Sequence, residues 1–230
     1  MTAELIATVQ ASNARLYEVN ELDILIADGP LAFEVEHRER IDSHFTAAQT
    51  ANPSLFNGTM FLFDAVGVEG DRFVARGRKT DFATFLYWRD PGGRGGGLKH
   101  CFGVGAIVAS DGRVLLGEMG PTTANAGRVY LPSGSLDHHD LYPDGRIHPL
   151  DNIHREIGEE VGLDATGFAR RPGWWVINHG ATFAMCTVFD APETAAALEA
   201  RVLAHLSAEA VPELSRIHFL DPSIGVGEIN

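Results

Sequence analysis

The stretch Arg155-Glu156-Ile157-Gly158-Glu159-Glu160-Val161-Gly162-Leu163 constrains this chain of 230 residues more than any other. Spaced as a helix, it sets Glu156 beside both Glu159 and Glu160, because residues three and four apart share a face. Carboxylates so placed repel, each like pair costing roughly 0.2–0.5 kcal/mol even in water. A hard divalent cation turns that penalty into a binding site, since Mg²⁺ takes carboxylate oxygens together with water and substrate phosphates. Arg155 is suited to hold one carboxylate through its planar fork. Ile157 and Val161, four apart, supply an apolar stripe to anchor the helix on a core. Gly158 is expected to admit a close backbone, and Gly162 to supply the left-handed residue that ends the helix. An isolated E-x-x-E-E is more often a solvated acidic face, so the flanking residues decide.

Those flanks point one way. The nonapeptide resembles, position for position, the Arg-Glu-aliphatic-x-Glu-Glu-x-Gly-aliphatic half of the box that marks the Nudix hydrolase superfamily. That box opens with Gly, five residues and Glu, and has seven more before the Arg. Leu131-Pro132-Ser133-Gly134 is similar to the opening, with Gly134 as its first glycine. Asp140 stands where the family has Glu, and twice as many residues separate it from Arg155 as the family spacing has. The catalytic half matches; the opening half is stretched.

The resemblance implies an α/β fold, a Nudix-type α-β-α sandwich with a mixed sheet over roughly 99–225. It implies attack of water on a phosphorus of a nucleoside diphosphate joined to a group X, giving a nucleoside monophosphate and X-phosphate. Glu156, Glu159 and Glu160 are the implied metal ligands, with Gly134 bringing a backbone carbonyl near, and the implied cofactor is Mg²⁺ or Mn²⁺. Many Nudix enzymes carry a further glutamate in a loop before a late strand, which binds metal or accepts the proton. Glu213, in Pro212-Glu213-Leu214, occupies that kind of place, the alternative being a surface carboxylate. Glu159, Glu213 and Arg155 are therefore the expected catalytic residues. Asp140 either assists them or is a solvated loop acid.

The net charge of −13 argues against a nucleic-acid backbone as partner, because phosphate binding needs clustered Lys and Arg. It leaves room for a small phosphorylated substrate, since one cation in a pocket reverses the local field. Cys101 and Cys186 form no CxxC and read as buried thiols in a reducing compartment. No signal-peptide pattern and no bilayer-length apolar run is found. The expectation is a cytoplasmic enzyme acting on a small-molecule nucleotide, with no membrane partner and with a homodimer allowed.

Along the chain, residues 1–97 read as an N-terminal α/β region and 98–230 as the Nudix hydrolase domain, with the boundary at the glycine cluster 92–97. In the first region Leu5–Val9 and Leu22–Ile26 read as strands, the latter ending at the turn Asp28-Gly29-Pro30. Glu34–Thr50 reads as a helix with Val35, Ile41 and Phe45 as core contacts. Thr59–Val68 and Arg72–Gly77 read as a hairpin about Glu69-Gly70-Asp71. In the second region Cys101–Val108 and Arg113–Gly117 form a hairpin with Asp111-Gly112 at its tip. Arg128–Pro132 is a short strand, and Trp174–Val188 is two strands bent near Asn178-His179-Gly180. Glu193–Ala208 is a helix with Leu198, Val202 and Leu206 on one stripe, and Arg216–Leu220 is a closing strand.

Candidate substrate-binding residues are Arg76 and Arg78, which with Lys79 make the one compact basic group, and Trp174 of the Trp174-Trp175 pair. Their alternatives are a solvated hairpin end and an aromatic core. His138, His139, His148 and His154 surround the stretched segment and read more readily as a polar loop than as ligands. A fainter resemblance joins Asn52–Gly58 and Arg78–Phe82 to the UDP-glucose-cleaving branch of the Nudix family. UDP-glucose or another NDP-sugar is thus the first substrate expected. A non-catalytic nucleotide sensor and a house-cleaning triphosphate pyrophosphatase are the competing readings.

Overall fold

Alternating apolar residues build strands in both halves of the chain, and the partners they find cross between the halves. The computed structural model describes residues 14–90, 95, 97–123 and 125–222. The strand expected at Leu5–Val9 lies outside the described residues. A larger sheet runs β1 (Arg15–Val19), β11 (Trp174–His179), β12 (Thr182–Asp190), β5 (His100–Val108), β6 (Val114–Met119) and β13 (Leu214–Leu220). Short strands β7 (Val129–Tyr130), β8 (Ser133–Ser135) and β10 (Ala169–Arg170) join it beside β6, β5 and β12. A smaller sheet runs β3 (Thr59–Glu69), β4 (Arg72–Asp81), β2 (Glu21–Ala27) and β9 (Arg146–Ile147). Among the described residues each sheet is mixed, with one parallel pair, β5–β12 in the larger and β2–β4 in the smaller. The fold class is mixed α/β, as expected. The hairpin turns at Gly70 and Gly180 fall where the glycines allow φ of 65° and 61°.

Four α-helices cover the sheets among the described residues: α1 (Ala32–Ala51), α2 (Phe82–Arg89), α3 (Pro149–Val161) and α4 (Ala195–Ala208). On α1, Ile41 and Phe45 are buried as expected, but Val35 is 66% exposed. Phe33 takes the inner place instead; at 100° per residue, Val35 lies about 200° round the helix from it. The aromatic run after Asp81 is the helix α2, capped by the Asp81 carboxylate accepting from Thr84 N–H at 2.8 Å. The two stretches that resemble the UDP-glucose-cleaving branch meet at this cap. Asn57 donates to Asp81 (3.1 Å) and accepts from Ala83 N–H (2.7 Å), and Phe82 N–H donates to Gly58 O (2.9 Å).

The stretched segment folds onto the smaller sheet. Leu141 bridges Ile147, the turn closes at Gly145 with φ 83°, and β9 pairs with β2 through Ile24↔Ile147 and Leu25↔Arg146. The glycine cluster at 92–97 is largely outside the described residues. Pairing passes across it both ways, β1 on β11 and β9 on β2. Ile24, Phe61, Phe73 and Ile147 share an apolar cluster with Cys101, Val176, Phe183 and Met185. Asp23 fastens the insertion: its buried carboxylate accepts from Arg146 (2.7 Å) and Arg76 (2.6 Å). The Arg76 hydrogen bond, and then Arg146, hold Asp23 below the usual carboxylate range, so this stabilisation is present near neutrality and fades as pH falls. Asp23→Ala is expected to lower stability by about 1–2 kcal/mol, because both arginines keep access to water. A urea midpoint unchanged from wild type would contradict that role.

Candidate active site

Helix α3 begins at Pro149, whose missing N–H suits a first turn, and ends at Gly162 in the left-handed region (φ 65°). Ile153, Ile157 and Val161 are buried against the larger sheet, with Gly103 and Gly105 of β5 leaving room for Ile153 and Ile157. That packing fixes the rest of the helix, whose outer side carries Arg155 and Glu159 and whose flank toward β8 carries Glu156 and the buried Glu160. Gly158, expected to admit a close backbone, is exposed, and a Cβ there would meet nothing within 4 Å. Gly162 is the tight position: a Cβ would stand 2.3 Å from His205 Cγ. His205 of α4 contacts the Glu159 carbonyl at 3.0 Å, and since that oxygen only accepts, the ring Nε2–H donates.

Each of the three glutamates has one carboxylate oxygen tied down. Arg155 Nη1 lies 2.9 Å from Glu156 Oε1 and 3.3 Å from Glu159 Oε2, and Ser133 N–H donates to Glu160 Oε2 at 3.1 Å. Among the described residues the other oxygens, Glu156 Oε2, Glu159 Oε1 and Glu160 Oε1, have no hydrogen-bond donor. Gly134 of β8 lies directly against this group, where a Cβ would stand 1.9 Å from Glu156 Cδ. Only glycine lets the backbone of the opening turn pass there. Oxygen donors of this kind suit a hard divalent cation, although the ligand atoms of the glutamates are not gathered within 4.8 Å of one another as those of Asp137, His138 and His139 are.

The electrostatics agree with a site built for a cation. Burial pushes Glu160, only 3% exposed, up to about 8, with Glu213 and Glu156 adding repulsion. Burial likewise pushes Glu156 up to about 7, against the lowering effect of Arg155. Glu213 stands at the rim, its carbonyl accepting from Gly120 N–H at 2.7 Å. Although its side chain reaches solvent, desolvation first, and then Glu159 and Glu209, raise its carboxyl. Glu159, Glu209, Ala210, Val211 and Glu213 line a cleft of about 450 Å³. This lining carries three acids and no base, so a phosphate enters it only in company with cations.

Asp140 resolves into a holding residue. It is buried, caps its own turn by accepting from Asp137 N–H (2.8 Å), and receives Arg155 Nη2 at 3.3 Å on both oxygens. The shorter acid and longer spacing thus still deliver a carboxylate to the arginine that orients Glu156 and Glu159. Sequence reasoning passed over Asn152 and Tyr130. Asn152 is fully buried one turn before Glu156. The half-buried Tyr130 hydroxyl accepts from Asn125 Nδ2 (3.4 Å), and burial, then the charges of Glu160 and Glu213, raise its phenol. Its only sequence signal is its place before Leu131-Pro132-Ser133-Gly134.

Other expected residues lie elsewhere. Arg76 is taken up by Asp23 and by the Asp23 and Ala75 carbonyls, and Arg78 donates to Asp28 O at 2.6 Å. Among the described residues no hydrogen bond or ion pair joins either to the glutamate helix. Trp174 is half-buried with the Arg170 guanidinium 4.6 Å over its ring. The four histidines separate: His148 packs on Tyr142 and His154 on Phe189, while His138 and His139 lie together beside Asp137. Asp137, His138 and His139 have ligand-type atoms within 4.8 Å of one another. Arg155 already stands 3.7 Å from the Asp137 carboxylate, so a positive charge is supplied there without a metal.

No family model matches the chain, and none of the curated proteins matches it. Among the described residues no helix is long and apolar enough to cross a membrane. Similar solved structures include a Nudix hydrolase from M. smegmatis, RenU, at 18% identity, over 53% of this chain and 69% of that one, with a TM-score of 0.33. The MutT protein from Methanosarcina mazei Go1 is similar at 21% identity, over 42% of this chain and 64% of that one, TM-score 0.30. The NUDIX domain of Shewanella oneidensis NrtR, complexed with ADP ribose, is similar at 12% identity, over 62% and 84%, TM-score 0.33. At these identities and TM-scores the likenesses carry no argument about activity, which rests on the residues of the site.

Proposed function

We propose that this protein is a divalent-metal-dependent pyrophosphohydrolase of the Nudix type, cleaving a nucleoside diphosphate linked to X into a nucleoside monophosphate and X-phosphate. One observation carries the reading: three glutamates, each with one oxygen tied and one free, stand together on one helix whose Glu159 lines an acidic cleft with Glu209 and Glu213, in a box that resembles the Nudix pattern. Glu156, Glu159 and Glu160 would hold Mg²⁺ or Mn²⁺, which when bound lowers the pKa of water and neutralises diphosphate charge. The chain's own residues do the rest by positioning, which dominates phosphoryl chemistry. Arg155 fixes Glu156 and Glu159, Gly134 lets the turn approach, and Glu213 takes the proton of the attacking water. The raised carboxyl of Glu213 suits a base working near neutrality. Glu213→Gln is expected to lower kcat about 10²-fold or more, with KM little changed, as for a group acting in the transition state. A kcat within about twofold of wild type would make Glu213 a rim carboxylate only.

The substrate proposed first is UDP-glucose or a close NDP-sugar. The support is the resemblance of Asn52–Gly58 and Arg78–Phe82 to the UDP-glucose-cleaving branch, two stretches that fold against each other at the α2 cap. Asn52 also reaches Thr122 O (3.4 Å), in the loop that leads to Tyr130. The test is a panel of NDP-sugars, dinucleoside polyphosphates and nucleoside triphosphates with saturating Mg²⁺ and all products identified. NDP-sugar cleavage at the highest kcat/KM is expected. Pyrophosphate release from triphosphates with NDP-sugars untouched would overturn the assignment in favour of a house-cleaning enzyme.

A further inference from the structure

Resting on the metal-site reading above, we infer that Asn152 is a positioning residue that selects which oxygen of Glu156 faces the divalent ion. Asn152 is 0% exposed, on the inner side of α3 one turn before Glu156. Its amide nitrogen lies 3.0 Å from Asp140 Oδ2, 3.3 Å from Ser135 O and 3.4 Å from Glu156 Oε1. Two hydrogens face three acceptors, two of them on acids, so the nitrogen is pinned to this side. Turning the amide over would set its oxygen against those same oxygens. The carbonyl Oδ1 consequently points the other way and has no donor, although it is buried.

A buried unpaired carbonyl needs an explanation, and the geometry on both sides of the amide supplies one. Oδ1 is turned toward β5 at Gly103, where a Cβ would stand 2.4 Å from it. The fold thus gives up a side chain on the sheet and a hydrogen bond on the amide to keep a neutral donor between Asp140 and Glu156. The result is that Glu156 Oε1 is held by Arg155 at 2.9 Å and Asn152 at 3.4 Å, both on the same oxygen. Oε2 is left undonated, with Gly134 giving the carboxyl its room. Arg155 alone cannot assign the oxygen so firmly, because its fork is also shared with Asp140, Glu159 and Asp137. An amide suits this task, since a second cation would compete with the ion and a carboxylate would repel both neighbours.

The test is a double-mutant cycle read by Mn²⁺ binding to the full-length protein in calorimetry, with no nucleotide present. Asn152→Ala is expected to weaken Mn²⁺ about 10–100-fold, the range typical when a group that orients a metal ligand is removed. Glu156→Gln is expected to weaken it as well, and Asn152→Ala added to Glu156→Gln should change the affinity by less than about twofold. At saturating Mn²⁺ the KM for the nucleotide should stay near the wild-type value. Should Asn152→Ala not fold, Asn152→Ser, which keeps a donor on a shorter side chain, replaces it in the cycle. Equal loss of Mn²⁺ affinity in the wild-type and Glu156→Gln backgrounds would overturn the inference, reducing Asn152 to packing. Wild-type protein that binds no Mn²⁺ would instead overturn the metal-site reading itself, and the two failures are told apart by that single titration.

Discussion

Glu160→Gln is expected to lower turnover about 10²–10⁴-fold while the protein becomes more stable in the absence of divalent ions. The loss of activity follows from removing a carboxylate proposed as a metal ligand. The gain in stability follows from its environment. Glu160 titrates at about 8 in the fold rather than near 4.5, because burial and the neighbouring glutamates disfavour its charge. Between those pH values the folded protein holds a proton that the unfolded chain has released, so wild-type stability falls as pH rises through the window. At about 1.4 kcal/mol per pKa unit, the penalty reaches a few kcal/mol by pH 8. Glutamine carries none of it and still offers an oxygen to Ser133 N–H. The variant should therefore melt above wild type at pH 8 without metal, with the gap closing by pH 5. Saturating Mg²⁺ should raise the wild-type midpoint at pH 8 and leave the variant nearly unmoved. A variant less stable than wild type at pH 8 would mean that Glu160 is held as a charged, satisfied group.

Arg155→Ala is expected to cost about 2–4 kcal/mol of stability and at least 10²-fold in kcat. The guanidinium is the shared partner of Asp137, Asp140, Glu156 and Glu159, at 3.7, 3.3, 2.9 and 3.3 Å. Asp140 is buried, and burial already raises its carboxyl, so losing the arginine leaves it uncompensated. Arg155→Lys should recover only part of both losses, because a point ammonium cannot serve Asp140 and Glu156 together as a planar fork does. Urea unfolding and single-turnover rates separate the two effects. A change below about 0.5 kcal/mol would place the arginine among ordinary surface ion pairs.

The helix and its charged face were legible because they are local. Ile157 and Val161 are four apart, Gly162 takes the left-handed cap, and the glutamate spacing defines one surface. Glu213 could be placed by chain order before a late strand, since Gly117, Gly120 and Leu214 bring that strand end to the site. What sequence spacing could not convey was long-range. The strand Arg15–Val19 becomes visible only through its partner β11, some 160 residues on. The stretched segment looked like a loop because two residues of β9 carry no periodicity, yet they extend the smaller sheet and are fastened by Asp23. Arg76 read as free positive charge, and its acid partner lies on a strand paired in parallel with its own. Asn152 gave no signal, because a buried amide is defined only by the acids and the glycine that surround it in space. Val35 failed on phase: hydrophobic alone does not make a residue face inward.

The most direct measurement follows the phosphorus nuclei of UDP-glucose by ³¹P NMR, with wild type and Glu160→Gln, each with Mg²⁺ and with Mg²⁺ chelated. The expected result is conversion of the diphosphate signals to those of UMP and glucose 1-phosphate by wild type with Mg²⁺ alone. Cleavage that survives chelation, or that Glu160→Gln performs as fast as wild type, would contradict a metal-dependent site built on the α3 glutamates.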